Sequence, residues 1–406
     1  MNKVKKVLIV THQFVPHQSP RTTRWKLIYD ELKREGIDVH VVTGTPQNGS
    51  DSNIIYIGNK KASKVVKNLR DQSNVHQKSF FKNLVLRLLK KIYRFFYKAF
   101  AWPDYTMFWV FSIWRNRKNI NLDYDLIISV SLPFSSHIAA YLINKKRGKE
   151  WIMDIGDPFS LKINAYENNK YLYKSLNYFV ENKFYNLASK IIFTHKQALE
   201  VHKNFFKINS KKLFVGNPIS SFDNNLYKIA KDYDYSVRPI EMGYFGILTK
   251  GVRSPINVLE VLDTEKINFN WYTNPDSKKM IEDTVVKKEN HSFFDIVPRE
   301  KALDIMVGNL HCLLSIGNLN PTQLPSKVIE YLSTGKPVVH FAEIEDDPVY
   351  DLKDFFNNLL IITKKDNLLN IENSLDKLFS SVGEFDENYF KNNYSSKAVI
   401  KLLEVF

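Results

Sequence analysis

Short apolar runs alternate along this chain with helix-length amphipathic stretches, and that rhythm restricts the fold more than any other feature. Val7-Leu8-Ile9-Val10 is a continuous apolar run, as a strand buried on both faces requires. Ser19-Pro20 then offers an N-cap and a first-turn proline. Trp25, Leu27, Ile28 and Leu32 carry a helical period, and Gly36 ends it. Val39–Val42 is the next run. Strand, helix and strand within about 35 residues make a right-handed βαβ unit and imply a parallel sheet. The same rhythm predicts strands at Leu126–Ser129, Trp151–Met153 and Ile191–Phe193. It stops near Gly216-Asn217-Pro218 and resumes at Met242–Gly246, Phe269–Tyr272, Leu310–Leu314 and Pro337–Phe341.

Two doubly wound, Rossmann-like α/β domains are the economical reading of 406 residues. The first is expected over 1–222 and the second over 239–386. A polar, Asn- and Asp-rich linker is expected at 223–238, and a terminal helix at 387–406 could belong to either domain. Lys and Arg number 58 against 43 Asp and Glu, a net charge of +15. An anionic partner follows: nucleic acid, lipid headgroup or phosphorylated ligand. The single cysteine, Cys312, excludes an intramolecular disulfide and a multi-cysteine zinc site. The apolar run before Thr11-His12 is too short for a signal-peptide core, and nowhere do about 18 apolar residues follow one another. The expectation is a reduced, cytoplasmic protein with a basic surface.

Residues 78–102 carry Lys78, Lys82, Arg87, Lys90, Lys91, Arg94 and Lys98 and no acid. Arg87, Lys91, Arg94 and Lys98 form a helical stripe, with Leu84, Leu88, Ile92, Phe95, Phe96 and Ala99 towards the other side and Trp102 and Trp109 following. A basic face, an apolar face and flanking tryptophans describe a helix lying in a membrane interface. The segment 78–118 is therefore expected to hold the protein on the inner face of the cell membrane. An amphipathic helix packed on its own domain remains the alternative. No nucleic-acid motif accompanies the charge, so nucleic acid is not expected as a partner.

Leu324-Pro-Ser-Lys-Val-Ile-Glu-Tyr-Leu-Ser-Thr-Gly-Lys-Pro337 is the most informative stretch. Pro325 can open a helix and Gly335 can close it, which puts Ser326 and Lys327 in the first turn, where amide protons are free and the macrodipole is positive. A lysine there favours a bound phosphate. Glu330 shares its face and can accept hydrogen bonds from ribose hydroxyls, as acidic residues do in dinucleotide folds. A surface Lys–Glu pair on a core helix is the competing reading. The loop after Gly243-Tyr-Phe-Gly246 adds Lys250 and Arg253 at a strand's carboxyl end, so the two loops together suggest a pyrophosphate clamp.

These residues resemble those of the family 4 glycosyltransferases, retaining nucleotide-sugar enzymes of GT-B architecture. Phe14-Val-Pro and Ser19-Pro-Arg-Thr-Thr-Arg-Trp25 are similar to the first βαβ of the acceptor-side domain. Trp102-Pro-Asp104, Trp109, Tyr124–Ser129 and Trp151–Pro158 resemble a subgroup building bacterial surface polysaccharides such as capsule. Phe245-Gly246, Lys250-Gly251 and Leu324–Val339 match donor-domain motifs. The resemblance implies two domains with a cleft between them and a hexosyltransferase-type activity. The substrates it implies are a nucleotide-diphosphate sugar, UDP-sugar favoured, and a lipid-linked or oligosaccharide acceptor.

Its implied donor residues are Lys250, Arg253, Thr322, Gln323, Ser326, Lys327 and Glu330. Two glutamates separated by seven residues are usual in the family. Glu330 matches the second, while Thr322 stands in place of the first, which would contact the sugar. Ile247 occupies a position where arginine is common, and Arg253 would compensate. Asp157 is implied near the acceptor hydroxyl as its base, and Asp154, His12, Arg21 and Arg24 on the acceptor side. Read without the family, Asp154 and Asp157 could equally be helix caps and His12 structural. Asp123-Tyr-Asp125 has the form of a metal motif but immediately precedes a strand and reads as a turn. No metal or other cofactor is expected, because a helix dipole and basic side chains would take the diphosphate charge. Two rival functions keep the fold: a nucleotide-sugar epimerase or hydrolase, and a non-catalytic nucleotide-binding protein at the membrane.

Overall fold

The computed structural model describes residues 6–17, 19–47, 49, 51–58, 100–120, 122–162, 166–285, 288–382 and 385–403. Of the basic aromatic segment expected at 78–118, residues 78–99 lie outside them. Strand β1 (Lys6–Thr11) is buried from its second residue onward. Such a strand needs neighbours on both edges, and β2 (Asp38–Thr43) and β4 (Leu126–Val130) run parallel to it on either side. Helix α1 (Pro20–Arg34) makes the first crossover. The Ser19 hydroxyl caps it by accepting from the Thr22 amide at 3.1 Å.

The remaining elements of this unit are β3 (Ile54–Tyr56), α2 (Met107–Asn116), α3 (Ser135–Asn144), β5 (Glu150–Ile155), α4 (Lys170–Leu187), β6 (Lys190–Phe193), α5 (Lys196–Phe206) and β7 (Leu213–Val215). Together they make a seven-stranded parallel sheet in the order β3-β2-β1-β4-β5-β6-β7. Its core joins Leu8, Val10, Ile127, Met153 and Ile191 from the strands with Phe134, Ala140 and Phe184 beside them.

The second sheet has six parallel strands: β8 (Ile240–Phe245), β9 (Ile267–Tyr272), β10 (His291–Phe294), β11 (Cys312–Ile316), β12 (Val338–Phe341) and β13 (Leu359–Ile362). Their order is β10-β9-β8-β11-β12-β13. Helices α6 (Asn224–Lys231), α7 (Ile256–Leu262), α8 (Pro275–Glu282), α9 (Arg299–Gly308), α10 (Ser326–Ser333), α11 (Leu368–Ser380), α12 (Glu387–Tyr394) and α13 (Ser396–Leu403) complete the chain. The fold is thus α/β, two doubly wound parallel sheets with interleaved helices.

By contacts, the chain divides into Met1–Gly216 with Val399–Phe406, and Asn217–Ala398. Two sequence expectations differ here. The stretch 223–238 is not wholly linker: Asp223 accepts from the Asn225 and Leu226 amides and starts α6, whose Ala230 is buried. The terminal helix at 387–406 is two helices, because Ser395 leaves the helical conformation between them with φ −103° and ψ 167°. No helix among the described residues is long and apolar enough to cross a membrane.

Candidate functional site

The sheet of the second unit runs from β8 outward in both directions, through β9 on one side and β11 on the other. Crevices at such reversals, outside the carboxyl ends of the strands, are where open α/β sheets take ligands. Two loops meet here. After β8, Thr249 and Arg253 pair across a tight turn, and Gly251 takes the positive φ of 78° that the turn requires. After β11 the chain passes Gly317, where a Cβ would collide with Asp347 Oδ2, and continues to Pro325. The loops are tied together: the Leu319 amide donates to the Val252 carbonyl at 2.9 Å, and Arg253 Nη2 donates to Asn318 Oδ1 at 2.9 Å. Asn318 in turn donates to the Gln323 carbonyl at 2.8 Å.

Helix α10 starts from this junction. Pro325 is its N-cap and supplies no side-chain cap, and within the first turn the Val328 amide donates back to the Pro325 carbonyl at 3.1 Å. Ser326 and Lys327 are the first two helical residues. Lys327 Nζ donates to Glu330 Oε2 at 2.6 Å, and Arg299 Nε, from the start of α9, donates to Glu330 Oε1 at 2.6 Å. Burial alone would push the Glu330 carboxyl up. Lys327 and Arg299 more than offset it and hold it below its ordinary value, so it is ionised at neutral pH. Tyr331, fully buried, donates to the Phe245 carbonyl at 3.1 Å and accepts from the Phe245 amide at 3.0 Å, which fixes α10 against the end of β8.

Of the predicted donor residues, Arg253, Gln323, Ser326, Lys327 and Glu330 therefore belong to one corner built from the β8 loop, the β11 loop and α10. Lys250 is exposed on the β8 loop and has no acidic partner among the described residues. Thr322 is buried, and its amide and hydroxyl both donate to Asn320 Oδ1, at 3.0 and 2.8 Å. Its side chain is engaged inside the turn rather than offered to a ligand. Lys327 differs from expectation as well: its anion is the Glu330 carboxylate one turn on.

Arg299, Asn318 and Tyr331 are the residues that sequence reasoning missed. Arg299 follows Pro298 at a helix start, but nothing in the linear sequence links it to Glu330.

In the first unit, Asp154 at the end of β5 is fully buried. Its Oδ2 accepts from Trp25 Nε1 at 2.8 Å and pairs with Arg21 at 2.8 Å, while Arg24 stands 3.8 Å from Oδ1. Arg21 also donates to the Ser131 carbonyl at 2.6 Å, and Arg24 to the Gly216 carbonyl at 2.9 Å. Arg21, Arg24 and Asp154, predicted as acceptor-side residues, are thus one internal ion cluster joining α1 to β5. Burial lowers the Arg24 guanidinium to about 10, with Asp154 opposing the shift.

His12 follows β1 with its ring edge-on to Trp109, centroids 5.2 Å apart. Burial, helped by His17, lowers the His12 imidazole to about 4, leaving it neutral at pH 7. Asp157 is half-buried two residues past β5. Asp123 and Asp125 lie at the opposite, amino end of the sheet. There Asp123 accepts from Lys6 Nζ at 2.8 Å and Asp125 from the Lys6 amide at 3.1 Å.

Two Rossmann-like units of these strand orders define the GT-B architecture. No family model and no curated protein matches the chain. Solved structures do. HepE from Anabaena, in complex with UDP-glucose, superposes with a TM-score of 0.61 at 12% identity, over 99% of this chain and 100% of that one. TarM gives 0.61 at 13% identity, over 99% and 98% of the two chains. WaaG, a glycosyltransferase involved in lipopolysaccharide biosynthesis, gives 0.54 at 10% identity, over 92% and 90%. At such identities the likeness establishes the fold.

Proposed function

We propose that this chain is a glycosyltransferase that moves a sugar from a nucleoside-diphosphate sugar to a glycan acceptor. The observation that carries the reading is the ionised Glu330, held between Lys327 and Arg299 beside the start of α10, which has no side-chain cap, at the sheet's switch point. In this reading the α10 amides, Lys327, Lys250 and Arg253 receive the diphosphate. Donor binding draws Lys327 from Glu330 to phosphate, and the freed carboxylate oxygen accepts from a ribose hydroxyl. When the bond from the anomeric carbon to the phosphate oxygen breaks, these cations and the helix dipole stabilise the charge left behind. The acceptor oxygen forms the new bond, and its proton passes to Asp157.

UDP is the favoured nucleotide because HepE, of the same fold, was solved with UDP-glucose. The finer reading is a retaining, family 4-like enzyme that needs no metal. It acts on a lipid-linked acceptor in bacterial surface polysaccharide synthesis, at the inner face of the membrane.

Thermal stabilisation by a panel of UDP-, GDP- and ADP-sugars tests the donor site, since a ligand that binds only the folded state raises the unfolding midpoint by mass action. A UDP-sugar should give the largest shift, and Lys327→Ala should remove most of it. A panel in which nothing stabilises the protein refutes the assignment. Anomeric analysis of the product by NMR then reads retention directly.

A further inference from the structure

Two helices of the first unit turn aromatic side chains to solvent. On α2, Trp109 and Ile113 are buried, while Phe108 is 64%, Phe111 54% and Trp114 47% exposed. On α4, Phe184 and Tyr185 face the core, while Leu172, Leu176 and Phe179 form an outward stripe at 60%, 40% and 66% exposure. Residues 100–103, just before α2, tie the two helices together. Trp102 Nε1 donates to Asn177 of α4 at 2.9 Å, Tyr173 donates to the Phe100 carbonyl at 3.1 Å, and Asn168 donates to the Pro103 carbonyl at 2.7 Å. Phe100 is itself 65% exposed. The apolar side chains therefore belong to one tied assembly and are not scattered singly over the surface.

Charge says what this face meets. Arg115 and Lys118 are exposed at the end of α2, and Lys174 and Lys183 on α4. The carboxylates of the same stretches are withdrawn. Asp104 is fully buried, accepting from Thr106 and Ser135. Glu181 is buried against Ser160 and Tyr185. Glu167 is paired with Lys162 at 2.6 Å. Exposed Phe and Trp among unopposed Lys and Arg match the interfacial layer of an anionic bilayer: aromatic rings enter at headgroup depth while ammonium and guanidinium groups stay with phosphate.

We propose that the outer faces of α2 and α4, with Phe100 between them, are a docking surface for an anionic lipid bilayer. The surface deepens the membrane side of the function proposed above. It stands on different residues from the donor corner, so the two can fail separately.

The test is co-sedimentation of the full chain with phosphatidylglycerol-containing vesicles and with pure phosphatidylcholine vesicles. UDP-sugar stabilisation is measured on every variant. The wild type should partition to the anionic vesicles and leave them at high salt. The triple variants Phe108→Ser/Phe111→Ser/Trp114→Ser and Leu172→Ser/Leu176→Ser/Phe179→Ser should each lower the partition coefficient about tenfold or more. Arg115→Glu with Lys118→Glu should abolish the preference for anionic vesicles while the melting temperature holds. A wild type that stays in the supernatant overturns the proposal, as do triple variants that bind like the wild type. So does a wild-type dimer that becomes monomeric in those variants, because the face would then be a protein interface.

Discussion

Glu330 is a carboxylate whose two oxygens are each taken by a different cation, one local and one brought from 31 positions away. That division of labour predicts different phenotypes. In the proposed donor site Lys327 would be drawn to phosphate on binding, whereas Arg299 would stay on Glu330 and keep it aimed. Arg299→Ala should therefore weaken nucleotide binding by about tenfold, or ~1.4 kcal/mol, while leaving the unfolding midpoint of the free protein nearly unchanged, as titration calorimetry and a melt would read. Lys336 is a second case at this scale. Fully buried, it donates to the Leu310 carbonyl at 2.7 Å, with Tyr233's ring centroid 3.4 Å from Nζ. Burial pushes its ammonium down to about 7, with Cys312 opposing the shift. The folded state then binds fewer protons than the unfolded chain between about 7 and the ordinary lysine value, so this group makes stability rise with pH across that window and fall as pH drops towards 7. Lys336→Met should flatten that slope in melts taken from pH 7 to pH 9 and raise the midpoint at pH 7. Lys327 and Glu330 were legible in the sequence because a helix puts positions three apart on one face. Arg299 was not, since only the packing of α9 beside α10 brings it there.

At the scale of elements, the central strands announce themselves and the edges do not. β1, β2, β4, β5, β6, β8, β9, β11 and β12 all show in the sequence as largely apolar runs, most of them because both faces are covered. The four strands the rhythm leaves out, β3, β7, β10 and β13, are the four sheet edges. β3 and β7 are only half-buried throughout, and β10 begins with His291-Ser292. β3 and β13 are nonetheless apolar in sequence, at Ile54–Ile57 and Leu359–Ile362, and the same rule would have found them. The cluster linking α1 to β5 was legible only in part. Arg21, Arg24 and Asp154 are visible as charges near strand ends, but their mutual burial depends on the crossover of α1 onto the sheet. Removing the shared anion strands two guanidiniums, one of them fully enclosed. Asp154→Ala should cost about 3 kcal/mol or more, measured by denaturant unfolding, and should abolish soluble expression if the unit is marginal.

At the scale of the whole molecule, two parallel-sheet units were predictable from the interruption near Gly216, although the boundary at 216–217 falls ahead of the expected domain end at 222. Each unit carries its own core, and the residues of the proposed donor corner all belong to the second. Hydrogen exchange with a bound UDP-sugar should therefore slow the amides of 246–254, 317–331 and the start of α9 and leave the β1–β7 sheet unchanged. Protection spread evenly over both sheets would contradict a donor corner confined to one of them.

The return of the chain gives the closing point. Val399, Ile400 and Leu403 are buried, Lys190 of β6 donates to the Leu402 carbonyl at 3.5 Å, and this stretch groups with the first unit. During synthesis the ribosome releases the first sheet early, yet the piece that closes it emerges only after all of 217–398 has been made. At ordinary elongation rates that delay is about 10–40 s. The oldest part of the nascent polypeptide is thus the last to receive all of its contacts.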